Sequence, residues 1–517
     1  MKKIFKSLFL VALTVILGIS SMFIDFNTQK IDASTSETSE PTPEIDTNNF
    51  LSRNTVKYEN INGKTVTVDT FYRDGGEVMN NPSIGQAIML YQCIQYKKLH
   101  KNEEVFASLS SFHLSVTASV CVLPNMPDYG KMKSLTTQEF TDDGYYRIAY
   151  LLVEAAKYGV KVIVVGQLDS IDYVSQRTYF NSHMQDDCYV EGKKVKDFMT
   201  ARAVDWTSYG DKAGADMMHV KSCTVSHYID NNGVEHRSAT WLSSQNLDSI
   251  KADGTNGNDS INTAVIISEH EEIRKIVYNY TRLMSEYYTQ EYVNIFRNMI
   301  IKMNTEQINL INEGRENEIA DNMKIVYLGS ETDKVFELYF TPFGGANATW
   351  DTVMNPYSKY INKLLPAVSG GDYIEFMWNN VKFINTFPFA QTIEDVLAYS
   401  FKTNANLNNK LYIRMGGISL TGFKGLVEGE NIGRLSLCEA DTISLPYHSK
   451  DFQLSYKENG ERYYVSCLNS LNFHEGAMGY QTNSFLVIKE TAETGNDFYT
   501  NFGILTVPGV DFESGRL

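Results

Sequence analysis

The chain is predicted to be an α/β protein whose two halves repeat one order of elements. Three observations point there. Strand, helix and strand follow one another across residues 104–165, which marks a β-α-β unit in a mixed or parallel sheet. A comparable order returns after residue 324. Each half also holds one His-x-Lys triplet, followed by a small-x-Asn triplet and an apolar strand led by Asn; these are the only two such triplets among nine histidines.

In the first half, residues 104–122 are rich in β-formers. Residues 143–158 carry apolar side chains at helical spacing, with Gly159 as a stop, and 160–165 form a short apolar run of strand type. A motif strand around His219, a strand at 239–242 and a closing strand at 262–268 follow. Residues 271–316 are long, charged and helical in pattern, and read as a connector. The second half opens with strands at 324–328 and 336–340, then a helix at 357–368, a strand at 373–378, a helix at 392–402 and a strand at 410–414. The motif strand at His448 comes next, and 484–489 closes this half as 262–268 closed the first. The expected division is a first domain at 58–290, a connector at 291–323 and a second domain at 324–517.

The first residues fall outside this pattern. Met1-Lys2-Lys3 with Lys6 is a positive n-region, and residues 7–24 are almost continuously apolar, so residues 1–33 read as an export signal or a retained N-terminal anchor. Gly18-Ile19-Ser20 offers a cleavage site, Ile31-Asp32-Ala33 a weaker one, and no cysteine follows to carry a lipid. Residues 34–57, rich at first in Ser, Thr, Glu and Pro, are expected to be a disordered linker. A secreted location is the expectation.

Of the 517 residues, 43% are hydrophobic and 21% charged, enough to bury sizeable cores. A net charge of −16 works against non-specific binding to a nucleic-acid backbone. Six cysteines, none in a C-x-x-C pair, exclude both a disulfide scaffold and a structural zinc signature. Cys223 and Cys467 lie inside the motif regions and read first as small apolar core residues. His113 reads as a core histidine. His227 and His236, which flank the turn-like stretch 230–233, read as surface residues. No Gly-rich phosphate loop and no H-E-x-x-H motif is present.

On an extended strand, side chains at i and i+2 share a face, so His219 with Lys221 and His448 with Lys450 are expected to point the same way. The same spacing joins Ser244 to Asn246 and Cys467 to Asn469. Two such sets facing one phosphate could perform phosphoryl transfer: one imidazole attacks phosphorus, the other protonates the leaving oxygen, and lysines and asparagines hold the non-bridging oxygens. No metal and no other cofactor is expected.

These motif blocks resemble the phospholipase D superfamily, with its pattern H-x-K-x(4)-D and, further on, G-S-x-N. The resemblance implies two phospholipase D-like α-β-α sandwich domains packed pseudo-symmetrically around a shared active site. It implies catalytic roles for His219, Lys221, Asn246, His448, Lys450 and Asn469, with Ser244 and Cys467 binding substrate, His219 as nucleophile and His448 as general acid. The chain departs from the pattern in places. Ser226 and Ser455 stand where the motif Asp would be, and Ser243 and Ser466 where the Gly would be. The carboxylate that often precedes the closing strand is replaced by Ile261 and Thr482, with Asp259 and Glu475 the nearest acids. The implied function is phospholipid headgroup hydrolysis or transfer by a monomer in contact with a membrane surface. A nuclease ranks second, and an inactive binding protein third.

Overall fold

The strand led by Asn262 lies inside the sheet of the first half, paired on both sides. Its sequence, Thr-Ala-Val-Ile-Ile-Ser, is buried along its whole length, as an unbroken apolar run requires of a strand covered on both faces. The computed structural model describes residues 49–50, 52–72, 82–112, 119–121, 145–167, 173–206, 218–245, 262–343, 356–364, 374–378, 407–409, 450–470 and 479–502. The expected signal, His113, the helix at 392–402 and the strand at 410–414 lie outside these residues, as do Asn246, Asp259, His448 and Glu475.

In chain order the first half contains β1 (Asn54–Ile61), β2 (Lys64–Tyr72), α1 (Pro82–Leu99), β3 (Phe106–Ser111), β4 (Ser119–Cys121), β5 (Tyr145–Arg147), α2 (Ile148–Lys157), β6 (Lys161–Gln167), α3 (Tyr173–His183), β7 (Met199–Val204), β8 (Ser222–Ile229), β9 (Glu235–Ser243) and β10 (Thr263–Ser268). Two long helices, α4 (Glu271–Glu286) and α5 (Val293–Asn312), lead into β11 (Phe336–Phe340), α6 (Pro356–Ile361), β12 (Ile374–Trp378), β13 (Leu407–Asn409), β14 (Phe452–Glu458), β15 (Glu461–Asn469), β16 (Ser484–Thr491) and α7 (Asp497–Asn501).

The protein is mixed α/β. Among the described residues one sheet has eight strands in the order β1-β2-β10-β9-β8-β3-β6-β7, a second has six in the order β11-β16-β15-β14-β12-β13, and β4 pairs with β5. Six positions of the first sheet match the second: β2-β10-β9-β8-β3-β6 against β11-β16-β15-β14-β12-β13. In both runs the first four pairings are antiparallel and the last is parallel. A single apolar cluster includes residues of both sheets, among them Val265, Ile267, Phe340, Phe452 and Val487.

Local chemistry explains the punctuation. α2 ends in a Schellman arrangement: the amide of Val160 reaches Ala155 O and that of Gly159 reaches Ala156 O. Gly159 has φ +89°, which a side chain would resist. Asn459 and Gly460, both at positive φ, turn β14 into β15 as a two-residue hairpin favours.

The structure corrects several boundaries. β1 opens at Asn54, inside the stretch 34–57 expected to be a linker, and Phe50 before it is buried. The helix expected from residue 143 starts at Ile148, after the short strand β5. The helix expected to reach 368 gives way at Asn362 to one turn of 3-10 helix. The expected connector is helical and contributes to the core. α4 buries Ile273, Ile276, Tyr280 and Leu283, and Asn304 of α5 donates to the carbonyls of Phe340 and Pro342.

Candidate active site

His219 and Lys221 lie just ahead of β8, not within a regular strand, so the expected strand-face alternation does not place them. A bridge between the two halves does. Met218 pairs with Thr482 in parallel, and the His219 amide donates to Thr482 O at 2.9 Å. The Met218 amide is held on the other side by Gln167 Oε1 at 2.7 Å. His219 is 4% exposed and Lys221 fully buried, with the Lys221 ammonium donating to His219 O at 2.6 Å. Phe112 packs against both, its ring 5.5 Å from the imidazole and 5.6 Å from Nζ.

The imidazole is oriented across the halves by a carboxamide. His219 Nδ1 lies 2.8 Å from Asn483 Oδ1. The surrounding bonds decide who donates. The Thr341 hydroxyl donates to Gln481 O at 2.6 Å, which leaves its oxygen to accept from the Asn483 backbone amide (2.7 Å) and Nδ2 (3.3 Å). Asn483 Oδ1 therefore faces the Ser470 hydroxyl, 3.3 Å away, and the imidazole. Nδ1 of His219 therefore donates to Asn483, and in the neutral ring the lone pair is on Nε2. The group that holds Nδ1 is the Asn that leads the closing strand, not Thr482. Its sequence signal was the recurrence of Asn262 and Asn483 at the same place in both halves.

Around Ser244 and Ser470 the two halves repeat one set of hydrogen bonds. The Ser244 amide donates to Thr263 O (3.0 Å), its hydroxyl to Asn262 Oδ1 (3.2 Å), and the Thr263 amide returns to Ser244 Oγ (3.1 Å). In the second half the Ser470 amide donates to Ser484 O (3.2 Å), its hydroxyl to Asn483 Oδ1 (3.3 Å), and the Ser484 amide returns to Ser470 Oγ (3.1 Å). Strand register agrees. Cys223 pairs with Trp241 and Phe452 with Cys467, while Ser243 pairs with Ala264 and Asn469 with Phe485.

Cys467 therefore matches Trp241, not Ser244. It is a fully buried core thiol whose pKa burial pushes well above its ordinary value. The triplet matching Ser244-Gln245-Asn246 is Ser470-Leu471-Asn472, three residues beyond the expected Cys467-Leu468-Asn469. Asn469 remains close to the motif, its Nδ2 donating to Lys450 O at 2.7 Å. Lys450 is 2% exposed and precedes β14 as Lys221 precedes β8.

The serines that replace the motif acid serve the sheets. Ser226 Oγ accepts from the Phe106 amide at 2.9 Å, and Ser455 Oγ from Arg462 Nη1 at 3.1 Å. His227 stacks on Tyr96, and burial holds its pKa below the ordinary value. His236 sits between Glu269 and Asp230, and the hydrogen bond to Glu269 raises it. A cavity of about 720 Å³ lined by Lys64, Glu269, Glu272, Glu316 and Lys324 involves none of the motif residues. Among the described residues no three His, Cys, Asp or Glu side chains gather as a metal set, and no helix is long and apolar enough to cross a membrane.

No known family matches the chain by sequence, and no curated protein matches it either. Solved structures give distant likenesses. The polyphosphate kinase of Porphyromonas gingivalis is 9% identical at a TM-score of 0.40; the match covers 81% of this chain, which spans about half (47%) of that one. The phosphatidylserine synthase of Haemophilus influenzae Rd KW20 is 10% identical at a TM-score of 0.42, with 84% of each chain covered. A phospholipase D family member, Nuc, from Salmonella typhimurium is 13% identical at a TM-score of 0.22, covering 42% of this chain and 92% of that one.

Proposed function

We propose that the chain is a phosphodiesterase of the phospholipase D type, acting outside the cell on a phospholipid headgroup. Its two halves are read as phospholipase D-like domains related by a pseudo-twofold axis and sharing one site. The observation that carries the proposal is the contact of His219 with Asn483, which belongs to the other half. It directs the Nδ1 proton toward Asn483 and so makes Nε2 the nucleophilic nitrogen of the neutral ring, while the Lys221 ammonium holds the His219 carbonyl. The matched strand orders and the repeated Ser–Asn hydrogen bonds support the two-domain part.

In the proposed reaction His219 Nε2 attacks phosphorus, the bond to the leaving oxygen breaks, and His448 gives that oxygen its proton. His448 then takes a proton from water, the hydroxide attacks phosphorus, and the N–P bond breaks. An alcohol in place of water gives transfer instead of hydrolysis. Lys221 and Lys450 neutralise the developing charge, the asparagines Asn246 and Asn472 contact the non-bridging oxygens, and Ser244 and Ser470, whose hydroxyls are given to Asn262 and Asn483, hold those residues instead. Asn469 supports Lys450 rather than the phosphate.

The test is headgroup release from phosphatidylcholine and phosphatidylethanolamine vesicles by the full chain in EDTA, beside a single-stranded DNA cleavage assay. Lipid turnover abolished by His219→Ala and by His448→Ala is expected. DNA cleavage with inert lipid would replace the lipase reading with the nuclease, and silence on both with unchanged folding would favour a binding protein.

A further inference from the structure

Asp451 has no part in the chemistry above, yet it is 1% exposed at the junction of the halves. Its Oδ1 accepts from the Asn469 amide at 3.1 Å, beside the Lys450 carbonyl that Asn469 Nδ2 holds. Its Oδ2 accepts from the Thr263 hydroxyl, which belongs to the first half. Thr263 follows Asn262, the residue that occupies in the first half the place of Asn483 in the second. The matching position after Lys221 is Ser222, whose hydroxyl makes no hydrogen bond among the described residues. A buried carboxyl is costly to keep, and a small hydroxyl fills the matching place in the other half. Packing alone therefore does not call for Asp451.

We propose that Asp451 is a positioning residue that clasps the second-half lysine segment to the Asn262–Thr263 segment of the first half and so holds the two half-sites in register. The proposal rests on the phosphodiesterase reading for its catalytic part. The clasp fixes Lys450 through Asn469 on one side and the lead of β10 on the other, so its loss moves groups by fractions of an ångström without removing any that touch substrate. Misplacement on that scale slows chemistry while leaving binding almost intact. Burial pushes the Asp451 carboxyl up to about 7, against the hydrogen bonds from Thr263 and Asn469 and the charge of Lys450.

The experiment uses the full chain with bis(4-nitrophenyl) phosphate as the probe, and compares Asp451→Asn, Thr263→Val and the double variant, with His219→Ala as the blank. Each single change is expected to lower kcat about tenfold to a hundredfold with KM within about twofold, and the double variant to be no slower than the slower single. Thr263→Val keeps the side-chain shape, so it guards against simple misfolding. Hydrogen exchange of the 262–268 backbone, read without substrate, is expected to rise in Asp451→Asn and Thr263→Val alike. Unchanged kcat in the singles, additive losses in the double variant, or unchanged exchange would overturn the clasp. Wild-type turnover no faster than His219→Ala would instead overturn the phosphodiesterase reading and the catalytic part with it, while exchange still decides whether the clasp exists.

Discussion

The two motif regions share a fold position but not a chemistry. Before and at the start of β8 stand His219, Lys221 and Ser222; before β14 in sequence stand His448, Lys450 and Asp451. Ser244 and Ser470 make the same bonds to Asn262 and Asn483. Only the second region carries an acid, and that acid reaches back to Thr263. Backbone register thus repeats where hydrogen bonds demand it. The residue next to each lysine is free to differ, and there the halves take separate tasks.

Changes to His219 give the largest expected effect. His219→Ala should lower kcat at least about a thousandfold with little change in melting temperature, because the imidazole is the proposed nucleophile. A loss below about tenfold would place the chemistry elsewhere. Asn483→Leu should cost about tenfold to a hundredfold, since the ring then loses its orientation and its tautomer. Asn483→Asp separates orientation from charge. A carboxylate at Oδ1 would stabilise the imidazolium, so the acidic limb of the kcat/KM profile should move to higher pH. An unmoved limb would mean that His219 does not titrate as the nucleophile.

The next comparison sets Ser470 against Cys467. Ser470→Ala should slow turnover about tenfold, as Ser244→Ala should, because both serines hold the Asn of their half. Cys467→Ser should leave kcat within about twofold and cost about 1–3 kcal/mol of stability, since a hydroxyl is placed in an apolar core. The reverse pattern would restore the triplet ending at Asn469.

The smallest effect is on stability against pH. Burial raises Asp451 to about 7 and Asp69 to about 6, and raises Glu490 as well. Each binds its proton more tightly folded than unfolded. The contribution of Asp451 and Asp69 is full below the ordinary carboxyl range, near pH 4, and is lost as pH climbs through 6 to 7. Glu337, which Lys359 draws below its usual value against the effect of burial, acts oppositely and only at acid pH. Urea unfolding should therefore show greater stability at pH 5 than at pH 7.5, and Asp451→Asn should flatten that slope.

Much of this was legible in the sequence. The paired His-x-Lys triplets and the Asn-led strands follow from patterns that hydrogen bonding and burial impose, whereas β2 and β7 were not read and the strand expected at 324–328 is only a bridge between Tyr327 and Leu338. α1 was not, because it is buried nearly all round and shows no amphipathic stripe to read. The second Ser-x-Asn was misplaced for a different reason. Cys-Leu-Asn and Ser-Leu-Asn stand side by side at 467–472, and only the register of β15 against β14 and β16 separates them. The Asp451–Thr263 contact joins residues 188 apart, which no local pattern reports.

The central claim is that His219 becomes covalently attached to phosphorus. The most direct measurement is a rapid-quench study of His448→Ala with bis(4-nitrophenyl) phosphate, whose leaving group needs no proton. The account predicts a burst of about one equivalent of 4-nitrophenol per chain, and a phosphoryl adduct by mass spectrometry on the peptide bearing His219. Turnover by the wild-type protein with no burst and an unmodified His219 peptide in the variant would contradict it.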